Sequence, residues 1–185
     1  MRQTGRVPPI VAPTLSDGEI VVRPLARGDI PDIVAACSDP EIPRWTRVPS
    51  PYTREDAEQF VAIAASEAAA GAGVALAVTG AGGRLIGTIG LMDVDRERGY
   101  GELGYWTAAP ARGRGAATRA VVLLRDWAQA ELGLRELEIC CHAENRPSQR
   151  VAERAGFADT GELRSIPRMP PGRRDGYKVY AWRAA

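Results

Sequence analysis

The chain is 185 residues long, 45% hydrophobic and 25% charged, which suits one soluble globular domain built around one substantial core. A formal net charge of +1 lacks the basic excess or stripe that a nucleic-acid binder shows. Three cysteines (Cys37, Cys140 and Cys141) without C-x-x-C spacing, and the single histidine His142, support no disulfide framework, zinc site or Cys–His or Ser–His machinery.

Residues 1–18 are proline-rich and hold no apolar run of signal-peptide or membrane-span length, so they read as a flexible arm. One domain, residues 19–185, follows, and free thiols fit a cytoplasmic protein. "EIVVRPL", Glu19 to Leu25, is a β-branched run stopped by proline and is predicted to be a strand. Asp29 with Asp32 reads as a cap for a helix carrying Ile30, Ile33, Val34 and Cys37 at helical spacing. Prolines 40, 43, 49 and 51 then predict a loop, and Thr53 with Asp56 caps a long alanine-rich helix that stops at Gly71.

"GVALAVTG", "RLIGTIGLMDV" and "YGELGYWTA" are strand-like runs divided by the turn signals "GAGG" and "DRERG", which predicts an antiparallel meander. A helix follows with Ala117, Ala120, Val121, Leu124, Ala128 and Leu132 on one face and Gly133 at its end. "RELEICCHA" returns to a strand, and "NRPSQRVAERAGF" makes a short helix capped by Asn145. The tail gives two strands around a Pro/Arg/Gly loop. The order is β-α-α-β-β-β-α-β-α-β-β, a single mixed α/β domain.

Between the third meander strand and its helix lies "PARGRGAAT". It lacks the lysine that ends a Walker loop, and Thr118 stands where a dinucleotide fingerprint needs its third glycine. What remains is a glycine-containing loop feeding a helix N-terminus, where unpaired N–H groups attract phosphate. Gly113 and Gly115 allow close approach, and Arg112 and Arg114 add charge; a flexible loop with solvated arginines is the alternative.

Together with the element order, "ARGRGAA" resembles the GNAT superfamily of acyl-CoA-dependent N-acetyltransferases, whose loop motif is matched by Arg112, Gly115 and Ala117. The stretch from Gly101 to Phe157 is similar to the branch of Rim-type ribosomal-protein N-terminal acetyltransferases. The resemblance implies a mostly antiparallel central sheet flanked by helices, with central strands that splay. It implies acetyl-CoA as co-substrate, a primary amine as acceptor (a protein N-terminus or a small molecule), and a homodimer; neither nucleic acid nor membrane is a partner. By resemblance the CoA pyrophosphate meets Arg112, Gly113, Arg114, Gly115, Ala116 and Ala117, and pantetheine pairs with the strand end near Trp106, Thr107 and Ala108. A non-catalytic acyl-CoA-binding regulatory module is the competing class. No metal is called for.

Amine acetylation needs a base for the amine and a proton donor for the departing thiolate. The resemblance assigns the donor to Ser148, with an ordinary first-turn serine as the alternative, and counts Asn145 among the cofactor-binding residues, with a helix cap as its alternative. Glu102 in "GELGYW" is the candidate base or else an ion-pair partner, with Glu162 and Asp175 as further acids. Tyr52, Trp45 and Arg44 are expected to line the acceptor pocket or pack as a lid. Arg164, Arg168, Arg173 and Arg174 form either a solvated charge run or an attractor for an acidic acceptor.

Overall fold

The computed structural model describes residues 7–169 and 172–184. Strands β1 (Leu15–Ser16), β2 (Val21–Pro24), β3 (Val74–Thr79), β4 (Leu85–Asp95) and β5 (Tyr100–Thr107) run antiparallel, each to the next. Strands β6 (Glu136–His142), β7 (Ala158–Arg164) and β8 (Tyr177–Arg183) make the other half. Among the described residues the eight strands form one sheet, ordered β1-β2-β3-β4-β5-β6-β8-β7. Only β5 and β6 are parallel, joined through α4 (Ala116–Leu132). The mixed, mostly antiparallel sheet is the one expected.

Strand alternation divides the core into two layers. Val74, Leu76 and Val78 of β3 join Leu91, Leu103, Val121 and Leu124 on the face covered by α4 and α5 (Arg146–Arg154). Ala77 points the other way, into a cluster with Ile33, Ile42 and Ala57 from α1 (Ile30–Cys37), α2 (Glu41–Trp45) and α3 (Arg54–Ala70). On β6, Leu137, Ile139 and Cys141 are buried on the α4 side, as their spacing predicts. On α4 the buried line is Ala116, Ala120, Val121, Leu124 and Ala128, while Ala117 and Leu132 are only half-buried.

Three local expectations change. The proline-rich segment contains α2, because Pro43 falls in the first turn, where a missing N–H costs nothing, and Asp39 Oδ1 accepts from Glu41 N at 3.1 Å. Asp29 does not cap α1: its carboxylate takes Arg23 Nη1 and Nη2 at 2.8 and 2.7 Å and Ala26 N at 2.8 Å. The arm expected over residues 1–18 is partly built into the fold. Ile10 is buried with its N–H on Ala68 O at 2.8 Å, and Leu15 pairs with Val22. Residues 1–6 of that arm lie outside the described residues.

The feature that positions the site is where the sheet fails to close. β5 and β6 pair only through Tyr100–Glu102 against Glu136–Glu138, and then part. Opposite Glu102, β4 has a register shift between Met92 and Asp95, with Asp93 at φ 51°. Bulge and splay together open the sheet beside Glu102.

Candidate active site

A cavity of about 1010 Å³ fills that opening, reaching from the start of α4 along β5 to α2, α3 and the β7–β8 loop. At its α4 end, Gly113 and Gly115 hold φ of 74° and 80°, and a Cβ on either would meet nothing within 4 Å. The backbone is therefore bare toward the cavity. Gly115 precedes α4 without a side-chain cap, and among the described residues the amides of Gly113, Arg114, Gly115, Ala116 and Ala117 have no internal acceptor. Unpaired N–H groups at a helix N-terminus form a cradle for phosphate oxygens.

Arg112 differs from its expected place in that cradle. Its N–H is spent on Ala109 O at 3.3 Å, its Nε donates to Thr107 O at 3.1 Å, and its Nη2 pairs with Asp39 Oδ2 at 2.6 Å. The Glu41 amide, with the Arg112 guanidinium, holds the Asp39 carboxyl below its usual range. Arg112 thus ties the loop to the α1–α2 corner. Arg114, unlike Gly113, Gly115, Ala116 and Ala117, does not line the cavity.

The strand end also differs by one residue. Ala108 N donates to Ile86 O at 2.9 Å, so by alternation the polar groups of Ala108 and Trp106 face β4. Tyr105 and Thr107 are the residues whose backbone faces the unpaired edge. The Trp106 side chain packs on the opposite face from α4, in the cluster with Tyr52 and Phe60.

At the start of α5, Asn145 Oδ1 accepts the Ser148 amide at 3.2 Å, a helix cap that fixes where Ser148 sits. The Tyr105 hydroxyl lies 2.9 Å from Ser148 Oγ and 3.1 Å from Ser148 O. Burial pushes the Tyr105 phenol above its ordinary range, and pushes the neighbouring Cys141 thiol up to about 11, so both keep their protons at neutral pH. Sequence reasoning missed Tyr105. Its signal was the alternation of "GELGYW", which puts it with Leu103 on the α5 side of the strand.

Glu102 faces the other side of β5. Burial is the main influence on its carboxyl and raises it, with Arg168 and Arg47 opposing and Asp93 adding to the rise. Among the described residues it has no hydrogen-bond partner. The four arginines of the β7–β8 region are internally engaged: Arg164 with Glu138 and Glu162, Arg168 with Asp93, Arg173 with the carbonyls of Pro43 and Arg44, and Arg174 with Met169 O. Arg173 clasps this loop to α2 and Arg168 clasps it to the β4 bulge; of the four, Arg168 lines the cavity, and Arg168 and Arg174 are also exposed to solvent. Glu162 is paired with Arg164 and Asp175 with Ser165, and neither lines the cavity. Trp45 and Tyr52 line it; Arg44 does not, lying instead over the Trp45 ring at 4.5 Å.

The chemistry of this donor set fits an acyl-CoA: bare amides for the pyrophosphate, an open strand edge for the pantetheine amides, and hydroxyls where the edge meets α5. Residues 19–158 match the family described as acetyltransferase (GNAT) domain. YdaF of Bacillus subtilis (strain 168), named as a ribosomal N-acetyltransferase, is 38% identical over 82 residues, 44% of this chain and 45% of that protein. The matched stretch therefore spans under half the length of that relative. RimJ of Mycobacterium smegmatis, solved with CoA-disulfide, has a TM-score of 0.80 at 19% identity, over 94% of this chain and 87% of its own. The microcin C7 self-immunity acetyltransferase MccE, solved with acetyl-CoA and AMP, has a TM-score of 0.81 at 16% identity, over 91% and 94%. These two structures share the fold, and the family match extends over well more than half of the sequence: the chain belongs to the acetyltransferase (GNAT) domain family.

Proposed function

We propose that the protein transfers an acetyl group from acetyl-CoA to a primary amine, on a small molecule or a protein N-terminus, in a ternary complex. The observation that carries this reading is the continuity of one cavity. Its unpaired loop amides, the free edge of β5, the Tyr105–Ser148 hydroxyl pair and the unpaired Glu102 carboxyl all open onto it.

Gly113, Arg114, Gly115, Ala116 and Ala117 hold the pyrophosphate through their amides, and Tyr105 and Thr107 hold the pantetheine arm through theirs. Acetyl-CoA supplies the activated acyl group as a thioester. Glu102 takes one proton from the acceptor ammonium before the N–C bond forms, its raised affinity for protons suiting it to act as a base near neutral pH. The Tyr105–Ser148 pair gives a proton to sulfur as the C–S bond breaks, and the second proton, which the nitrogen sheds as the amide forms, restores the pair. Asn145 positions Ser148 through the cap. The free cysteines Cys37, Cys140 and Cys141 support residence in a reducing cytoplasm. The edge strand β7, exposed from Ala158 to Leu163, is the surface on which a homodimer is sought, by light scattering.

Calorimetric titration with acetyl-CoA and CoA, on the wild type and on Gly115→Glu, tests the reading. Binding that the acidic side chain abolishes is the expected result, followed by thiol release with an amine panel. A folded wild type that binds neither ligand overturns it.

A further inference from the structure

The acceptor half of the cavity is walled by Trp45, Val48, Tyr52, Phe60, Met169 and Tyr177, an apolar and aromatic set that suits a compact hydrophobic body. The acids around it are mostly engaged. Glu41 accepts from Arg44 and Trp45, Asp56 from Thr53, and Asp93 from Arg168, while Glu67 sits exposed on α3. Glu102 is the enclosed carboxylate left without a partner among the described residues.

Arg47 is its cationic counterpart. Of the five arginines that line the cavity, Arg168 is held by Asp93 and Arg112 by Asp39, and Arg150 and Arg154 lie exposed on α5, whereas the exposed Arg47 guanidinium, on the acceptor side, donates among the described residues only to Met92 Sδ, at 2.9 Å, a weak acceptor. Among the described residues no carboxylate pairs with it. Its seat is built. Met92 stands opposite Glu102 in the β4–β5 register, and its methyl group folds over Gly104, where a Cβ would come within 2.9 Å of it. Gly104 and Glu102, two residues apart on β5, share a face. The missing side chain at 104 therefore lets Met92 lie across β5 and carry Arg47 over the same face as Glu102.

The enclosed Glu102 and the exposed Arg47 at its rim, an anion and a cation on one face of the sheet beside an apolar wall, suit a ligand of the complementary pattern. We infer that the acceptor is zwitterionic: a primary amine on an apolar or aromatic frame, with an anionic oxygen group beside it, the ammonium meeting Glu102 and the anion meeting Arg47. This rests on the acetyl transfer proposed above. A polyamine would set a second ammonium against Arg47, and a peptide N-terminus would offer it only a neutral amide.

The test is thiol release from acetyl-CoA with L-phenylalanine, its aminophosphonate analogue, L-phenylalaninamide, phenethylamine and spermidine, in the wild type, Arg47→Ala and Arg47→Lys. The wild type is expected to prefer an acid or phosphonate over the amide by about tenfold or more in kcat/KM. The first two substrates distinguish carboxylate from phosphonate as the preferred anion. Arg47→Ala should erase that ratio through KM for the anionic substrate, and Arg47→Lys should keep part of it. Equal use of acid and amide, a ratio that survives in Arg47→Ala, a preference for spermidine, or no turnover of either anionic substrate overturns the inference. Failure of acetyl-CoA to bind at all overturns the parent reading instead.

Discussion

Glu102 sits on a strand whose neighbours leave it unpaired, and burial raises its carboxyl. As a base it must be ionised, so kcat/KM should climb with pH on a limb displaced above the ordinary carboxylate range and level off once Glu102 is deprotonated. Glu102→Gln should lower kcat/KM by roughly a hundredfold and remove that limb; a pH–rate profile that keeps it would assign the base elsewhere. Tyr105 and Ser148 share one hydrogen bond, so their contributions should not add. Tyr105→Phe and Ser148→Ala are each expected to lower kcat by about tenfold to a hundredfold, and the double variant by little more than the worse single one. Acetyl-CoA affinity should stay close to wild type throughout, which calorimetry checks.

At the scale of elements, the sequence was most legible where local physics decides. The Thr53–Asp56 box caps α3 reciprocally, with Asp56 N on Thr53 Oγ1 at 3.2 Å and Thr53 N on Asp56 Oδ2 at 2.8 Å. The loop before α4 was legible for a similar reason, since its glycines and helix start lie within a few residues of each other. What stayed hidden depends on distant partners. Whether Asp29 caps a helix or holds Arg23 is decided by the β2 strand beside it, and no spacing within α1 reveals that. Arg112 likewise read as a phosphate ligand because Asp39 lies far away in sequence. Tyr105 meets Ser148 across 43 residues of chain. The Arg112–Asp39 tether is half-exposed, and pairs of that kind contribute about 0–1 kcal/mol. Asp39→Ala should therefore weaken acetyl-CoA binding by up to about fivefold without unfolding the domain, as titration and a thermal melt would show.

For the whole molecule, the Arg23–Asp29 pair gives stability a defined acid limit. Burial alone would raise Asp29, but the Arg23 guanidinium and the Ala26 amide outweigh it and hold the carboxyl below its ordinary value. A folded-state value below the unfolded one stabilises fully above the unfolded pKa, and that contribution is lost as pH falls through the depressed folded value. Asp29→Asn should cost roughly 2 kcal/mol at neutral pH and progressively less in acid, measured by urea unfolding at several pH values. Acetyl-CoA at a hundred times its Kd should add about 2.7 kcal/mol, or roughly 5–10 °C in Tm for a domain of this size. The parting of β5 from β6 after Glu102 carries a further consequence, because a strand edge with no neighbour leaves its amides open to solvent deuterium. Tyr105 and Thr107 should exchange far faster than Gly104 and Trp106, whose amides face β4, and that alternating pattern along one strand should flatten when the co-substrate binds and completes the sheet.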